Sequence, residues 1–241
     1  MKTAIITGAS RGIGKAIALR LSQDGFSIVV NYTQQKDQAE KVVQQIMHNG
    51  GQAIALQADV SLYPPVERLF KTTLETFGSI DVLVNNAGVS SIKPLAESDD
   101  ALFDRLFNVN VKGTVHTFRQ AALHLRDQGR IINLSSTAVL TATPGLGLYI
   151  SAKAAVEALT KNFAKELRGR HITVNTIAPG LVRSEMFFEG KTEEQINTMA
   201  KLSHLERLGE VEEIANVVAF LTSAEASWIN GQVIRVNGGT A

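Results

Sequence analysis

Lys2-Thr3-Ala4-Ile5-Ile6-Thr7 runs directly into Gly8-Ala9-Ser10-Arg11-Gly12-Ile13-Gly14, and the reading of this stretch decides the fold. A short apolar run of this kind suits a strand buried on both faces. After the glycines a helical period begins, with Ile13, Ile17 and Leu21 on one face and Ala16 and Ala18 packed between them. A glycine-rich turn between strand and helix aims backbone N–H groups and a helix N-terminus at an anion, here a dinucleotide pyrophosphate. The spacing is Gly-x-x-x-Gly-x-Gly rather than the standard Gly-x-Gly-x-x-Gly, so the stretch also reads as an ordinary tight connection. On the first reading Gly8, Ser10, Arg11, Gly12, Ile13 and Gly14 contact the cofactor.

The alternation continues to the C-terminus. Strand 27–31 precedes helix 35–49, which Gly50-Gly51 closes. Strand 52–57, helix 64–77 ending at Gly78, and strand 80–84 follow. Residues 99–127 read as one or two helices, 131–134 as a strand, and the segment after Gly147 as a helix through Leu167. Strand 171–177, helix 210–222 and strand 232–236 complete a single domain spanning 1–241. Repeats and linkers are absent. This order predicts an α/β fold with a mainly parallel, doubly wound sheet, right-handed crossovers and helices on both faces. In such sheets ligands bind beyond the carboxyl ends of the strands. Gly8–Gly14, Asn31, Asp59, Asn85–Gly88, Ser136 and Pro179–Ser184 each follow a strand, and so converge on one rim.

Asn31-Tyr32-Thr33 occupies the place where an NAD-binding unit wants a carboxylate for the ribose 2′-hydroxyl. The stretch is neutral and Arg11 lies nearby, which suits a 2′-phosphate and hence NADP. Asp59, beside Val60, can accept from an adenine amino group; equally, Asp59 or Ser61 can cap the helix that starts near Pro64. Asn86, Ala87 and Gly88 let backbone approach a cofactor closely. Pro179, Gly180, Val182 and Ser184 form the corresponding segment after the sixth strand. The polar stretch 184–205, with a short helix over 193–201, reads as a substrate lid.

Tyr149 and Lys153 are four apart, so a helix places them on one face with an ammonium beside a phenol. A cation lowers a phenol's pKa and lets it trade protons nearer neutrality. Ser136, thirteen positions before Tyr149, ends the apolar strand and supplies a hydroxyl for the same substrate oxygen. Together they equip a site for acid–base work on a carbonyl or alcohol. The spacing alone is weak evidence, because Tyr32 and Lys36 share it. Asn110 and Asn108 sit inside a helical stretch beside Gly113, where asparagine marks a kink, a functional amide or a solvent-facing side chain.

The chain has 241 residues, net charge +1 and no cysteine. That balance offers no electrostatic case for nucleic acid or anionic membrane. Disulfides and thiolate metal sites are excluded, no metal is expected, and no apolar run approaches a membrane span. Residues 1–10 become strand-like too soon for a signal peptide, so the expectation is a cytoplasmic protein.

Over essentially its full length the chain resembles the classical short-chain dehydrogenase/reductase family. The matching pieces are Thr7-Gly8-x-x-x-Gly12-x-Gly14, Asp59, Asn86-Ala87-Gly88, Asn110, Ser136, Tyr149-x-x-x-Lys153 and Pro179-Gly180. The resemblance implies a Rossmann sheet of seven strands and a catalytic set of Asn110, Ser136, Tyr149 and Lys153. In it Tyr149 is general acid or base and Ser136 positions the substrate oxygen. Lys153 holds the nicotinamide ribose and lowers the Tyr149 pKa, and Asn110 holds a relay water. It also implies a homotetramer, with the helices around 110–126 and 150–168 forming a dimer face. Within the family the chain is similar to 3-oxoacyl-carrier-protein reductases and general ketone reductases. Family members that serve an acyl carrier protein carry basic residues near the site mouth. Here one such position is Asp127, beside Arg126, and the other is Arg170, which favours a broader carbonyl reductase over a carrier-protein partner. The leading expectation is an NADPH-dependent reductase of a ketone or 3-oxoacyl thioester, a small-molecule substrate. The alternatives are a sugar or alcohol dehydrogenase working in oxidation, and a dinucleotide-sensing regulator.

Overall fold

A computed structural model describes residues 1–188 and 190–241, with Met186 described through its backbone. Among the described residues seven strands form one sheet of order β3-β2-β1-β4-β5-β6-β7, every neighbouring pair parallel. The strands are β1 (Thr3–Ile6), β2 (Ser27–Tyr32), β3 (Ala53–Gln57), β4 (Ile80–Asn85), β5 (Leu125–Leu134), β6 (Thr173–Pro179) and β7 (Val233–Val236). The helices are α1 (Gly12–Gln23), α2 (Lys36–His48), α3 (Tyr63–Phe77), α4 (Asp100–Phe107), α5 (Gly113–His124), α6 (Ala138–Thr141), α7 (Gly147–Glu166), α8 (Glu185–Phe188), α9 (Glu193–Ala200) and α10 (Val211–Thr222).

The alternation of side chains along each strand builds two cores. Ala4 and Ile6 of β1, with Ile28 and Val30 of β2, meet Ile17 and Leu21 of α1, Val42 of α2 and Val218 of α10. Ile5 and Val29 face the other way, with Phe70 of α3, Phe118 of α5 and Phe163 of α7. Phe118 and Phe163 stack at 4.2 Å between ring centroids. Burial on both faces is what an all-parallel sheet requires, and it explains the continuous apolar runs of the central strands.

Several details differ from the sequence reading. The helix expected to reach residue 127 stops at His124, and β5 starts at Leu125, which pairs with Ile80. The expected strand 171–177 lies two residues further on, because His171 turns with φ +55°. Neither Asp59 nor Ser61 caps α3: Leu62 occupies the cap, while Asp59 Oδ1 accepts from the Ser61 N–H and hydroxyl in a local turn. In the segment expected to form a lid, α9 is present, with a reciprocal Thr192/Gln195 cap, and α8 precedes it. Glu189 of that segment lies outside the described residues.

The turn after β1 is held by side chains from neighbouring strands. Gly8 and Gly12 take φ of +62° and +54°. A Cβ on Gly14 would lie 2.5 Å from the Gly8 carbonyl oxygen, so helix and turn meet only because the residue is glycine. The Thr7 hydroxyl accepts from the Asn86 and Ala87 N–H groups, and Asn86 Nδ2 donates to the Thr7 and Gly8 carbonyls at 2.9 Å. Asn31 does the same from β2: its Oδ1 accepts from Gly8 N–H at 3.2 Å and its Nδ2 donates to Ala58 O at 3.0 Å. It is 1% exposed, which corrects the expectation that Asn31 contacts the cofactor; its amide is engaged in holding the turn. Asn31→Leu should therefore remove the acceptor of Gly8 N–H and the close donor to Ala58 O, and lower stability by about 1–3 kcal/mol in denaturant titration. A loss below about 0.5 kcal/mol would contradict this role.

Candidate active site

One cleft of about 560 Å³ opens along the carboxyl ends of β1, β2, β4, β5 and β6. Gly8, Ser10, Arg11, Gly12, Ile13 and Gly14 line it, as do Tyr32, Thr33, Asp59 and Val60. Asn86, Ala87, Gly88, Tyr149, Lys153, Pro179 and Ser184 line it from the other side. A dinucleotide fits this cleft: a positive-φ glycine turn opens a helix at its centre, and Gly88 faces it where a Cβ would come within 2.8 Å of Asn110 Oδ1 and 3.3 Å of Lys153 Nζ. Val182 and Gly180 stand behind the wall instead. Val182 is buried against the first core, and a Cβ on Gly180 would lie 2.8 Å from Asn237 Cα. These two positions support the wall of the cleft from behind.

Tyr149 and Lys153 lie on consecutive turns of α7. Lys153 is 5% exposed, its Nζ donates to Leu134 O at 2.8 Å, and it lies 5.8 Å from the Tyr149 ring centroid. Burial lowers its pKa from 10.5 to about 8. Burial also raises the Tyr149 phenol above its ordinary value, and a hydrogen bond from Ser136 works the other way. The expectation that Lys153 lowers the Tyr149 pKa is not met: burial sets the upward direction, and the ammonium points to the Leu134 carbonyl. The Ser136 hydroxyl also accepts from Ala138 N–H at 3.2 Å.

Asn110 sits in a π turn (Asn108–Lys112) between α4 and α5, a geometry often found at functional sites. It is buried, and its amide bonds Val89 N–H, Val89 O and Leu106 O. Of the three readings open for it, kink and functional amide stand and the solvent-facing one does not. The second Tyr-x-x-x-Lys is taken apart by the fold. Tyr32 ends β2, whereas Lys36 opens α2 and pairs with Glu40 on the surface.

The cleft also contains residues that sequence reasoning missed: Gln34, Gln35, Val89, Arg105, Val109, Leu134, Ser135 and Glu185. Val89 follows the Asn86–Gly88 run, and Arg105 and Val109 lie four apart, so adjacency and helical spacing were usable signals. Nothing in the sequence marks the ion pair of Arg11 with Glu185 at 3.5 Å, which joins the glycine turn to α8. A Cβ on Gly12 would lie 3.8 Å from Ser184 Cβ, so the segment after β6 closes over the turn. Arg170 and Asp127, expected near the site mouth, pair with each other at 2.8 Å. Arg170 also donates to Ala122 O and Leu125 O. Both stand at the amino ends of β5 and β6, the rim opposite the cleft. Among the described residues no helix is long and apolar enough to cross a membrane, and no group of three or more His, Asp or Glu side chains could hold a metal.

Sheet order and cleft define a single-domain Rossmann-type enzyme. A family model described as enoyl-(acyl carrier protein) reductase matches residues 8–241. A short-chain type dehydrogenase/reductase of Picea abies is 44% identical, with 99% of this chain and 92% of the relative covered. The 3-oxoacyl-[acyl-carrier-protein] reductase FabG of Staphylococcus epidermidis is 41% identical over 99% of this chain and 98% of its own. Among solved structures, the angucycline C-6 ketoreductase LanV with bound NADP superposes with a TM-score of 0.93 at 38% identity, covering 99% and 95% of the two chains. The chain belongs to the short-chain dehydrogenase/reductase family and is an oxidoreductase.

The Lys153 environment makes stability depend on pH. Below about 8 both states carry the proton and the penalty for burying the ammonium is fully present. Between about 8 and 10.5 the unfolded chain binds more protons, so stability rises with pH. Tyr149 acts in the opposite sense above its ordinary 10.0, where the folded phenol keeps a proton the unfolded one has lost. The melting temperature of the wild type should rise relative to that of Lys153→Met between about pH 7.5 and about pH 9.5. Parallel profiles would show that Lys153 is not buried as an ammonium.

Proposed function

We propose that the protein is an NADPH-dependent carbonyl reductase that turns a ketone or 3-oxoacyl thioester into the alcohol, with Tyr149 as general acid. The observation that carries this reading is the meeting of the glycine turn, Tyr149 and Lys153 in one cleft. Bound there, the reduced nicotinamide supplies the hydride. Tyr149 donates its proton to the carbonyl oxygen, and the Ser136 hydroxyl hydrogen-bonds the same oxygen. A protonated phenol at neutral pH, which burial favours, is what an acid in reduction requires. Lys153 holds the nicotinamide ribose and, once turned toward the phenolate, stabilises the charge that proton donation leaves. A relay water on Asn110 would use the backbone carbonyl or the remaining lone pair of Oδ1, since both amide protons are engaged.

Tyr32, Thr33 and Asp59 would hold the adenosine half, the Asp59 carboxylate accepting from the adenine amino group. Arg11 binds the 2′-phosphate. Its pair with Glu185 is exposed and long, a contact typically worth about 0–1 kcal/mol, and yields to a doubly charged phosphate. The NADP bound to LanV supports this cofactor choice.

The segment 184–205 is the substrate lid. Arg170 and Asp127 neutralise each other away from the cleft, which supports a small-molecule ketone over an acyl carrier protein as the usual partner. A homotetramer is part of this reading: Leu123 on α5 and Trp228 before β7 are 70% and 98% exposed, apolar groups that copies of the chain would cover.

Tyr149→Phe and Lys153→Ala should each lower turnover of an aryl ketone or acetoacetyl thioester by at least ~10²-fold. Retained activity in Tyr149→Phe would overturn the assignment. In fluorescence titrations Arg11→Ala should weaken NADPH at least ~10-fold more than NADH, as expected from the loss of a charge-assisted contact. Equal losses would place the 2′-phosphate elsewhere.

A further inference from the structure

A row of polar side chains crosses the sheet directly beneath the cleft. Asn85 of β4 pairs in register with Asn133 of β5, and Asn133 with Thr176 of β6. Asn85 Nδ2 donates to Asn133 Oδ1 at 2.8 Å, and Asn133 Nδ2 donates to the Thr160 hydroxyl at 2.8 Å. Thr160, on α7, lies 2.7 Å from the Thr176 hydroxyl and donates to Val156 O. At the other end the Thr117 hydroxyl of α5 lies 2.8 Å from Asn85 Oδ1. All five residues are at most 7% exposed.

A sheet interior of this size has no need of such a row for stability, because well-packed apolar side chains serve a buried position as well or better. What polar pairing adds is a fixed register. Three residues beyond the row stand Gly88, Ser136 and Pro179, each reached from its own strand. Leu134, whose carbonyl accepts from the Lys153 ammonium, is the next residue after Asn133. Thr160 lies seven positions after Lys153, two turns along the same helix.

We propose that Thr117, Asn85, Asn133, Thr160 and Thr176 form the positioning framework of Lys153, bolting the ends of β4, β5 and β6 to α7 so that its ammonium meets the cofactor ribose and Tyr149 in one geometry. The inference rests on the catalytic reading given above. It assigns the framework to the nicotinamide half of the cleft, since none of its residues belongs to β1, β2 or β3, where the adenosine half is held.

The test uses the full chain with Thr160→Val, which removes the hydroxyl and keeps the shape, and Thr160→Ser, which restores it. The substrate probe is an aryl diketone, and NADPH affinity is read separately by fluorescence. Thr160→Val should lower kcat roughly 10- to 100-fold, the usual consequence of a small misplacement at the reacting centre. NADPH affinity should stay within about twofold, because the loss is in the transition state rather than in cofactor binding. Thr160→Ser should restore most of the wild-type kcat. Unchanged kcat in Thr160→Val, an equal loss in Thr160→Ser, or a parallel loss of NADPH affinity would each overturn the proposal. If Thr160→Val does not fold, Thr117→Val, at the other end of the row, is read by the same criteria. Tyr149→Phe in the same series separates the two levels: if it retains activity the catalytic reading fails, whereas inactive Tyr149→Phe beside fully active Thr160→Val removes the framework alone.

Discussion

A lysine ammonium sealed inside the domain is the constraint on which the site depends. An isolated charge in such a place is costly, and proteins tolerate it only with close partners or with a shifted pKa. Lys153 shows both: its Nζ donates to Leu134 O, and its pKa falls to about 8. Its position follows from three independent pieces of chain. Gly88 leaves space beside the ammonium, β5 presents the carbonyl, and α7 sets the depth. The ammonium is thereby held at the wall of the cleft, one helical turn from Tyr149.

The same economy of backbone governs the other half of the cleft. The glycine turn presents N–H groups because Thr7, Asn31 and Asn86 take up the polar groups around it. These side chains look like ligand contacts when read by type, yet their atoms are engaged with the protein. At the glycine turn the wall of the cleft is therefore backbone and small residues, and the Thr7, Asn31 and Asn86 side chains brace it. The Arg11 side chain differs from them: its partner, Glu185 on α8, is exposed.

Much of this was legible in the sequence. Buried parallel strands announce themselves as β-branched runs, and Gly50, Gly78 and the glycine turn mark ends of elements because few other residues take positive φ. The convergence of site segments followed from strand order alone. What escaped the reading depended on distance through space. Leu125-Arg126-Asp127 carries no glycine or proline and reads as helix, yet pairing with Ile80 converts its start to strand. Asn31 could not be told from a ribose contact without knowing that Ala58 and Gly8 flank it. The Tyr149 phenol was expected to fall because Lys153 is its sequence neighbour, but burial, which spacing does not report, sets the direction. The pairing of Arg170 with Asp127, residues 43 positions apart, was equally hidden.

The most direct test of the account is the fate of a label. Reduction of an aryl diketone with NADPH carrying deuterium at one face of nicotinamide C4, then at the other, would be followed by mass and proton resonance of the alcohol product. The account predicts deuterium on the carbinol carbon from one face only, with the label retained in the oxidised cofactor for the other, because Tyr149, Ser136 and Lys153 fix a single approach. Transfer from both faces, or tight NADPH binding with no label in any product, would contradict a cleft built for directed hydride and proton delivery.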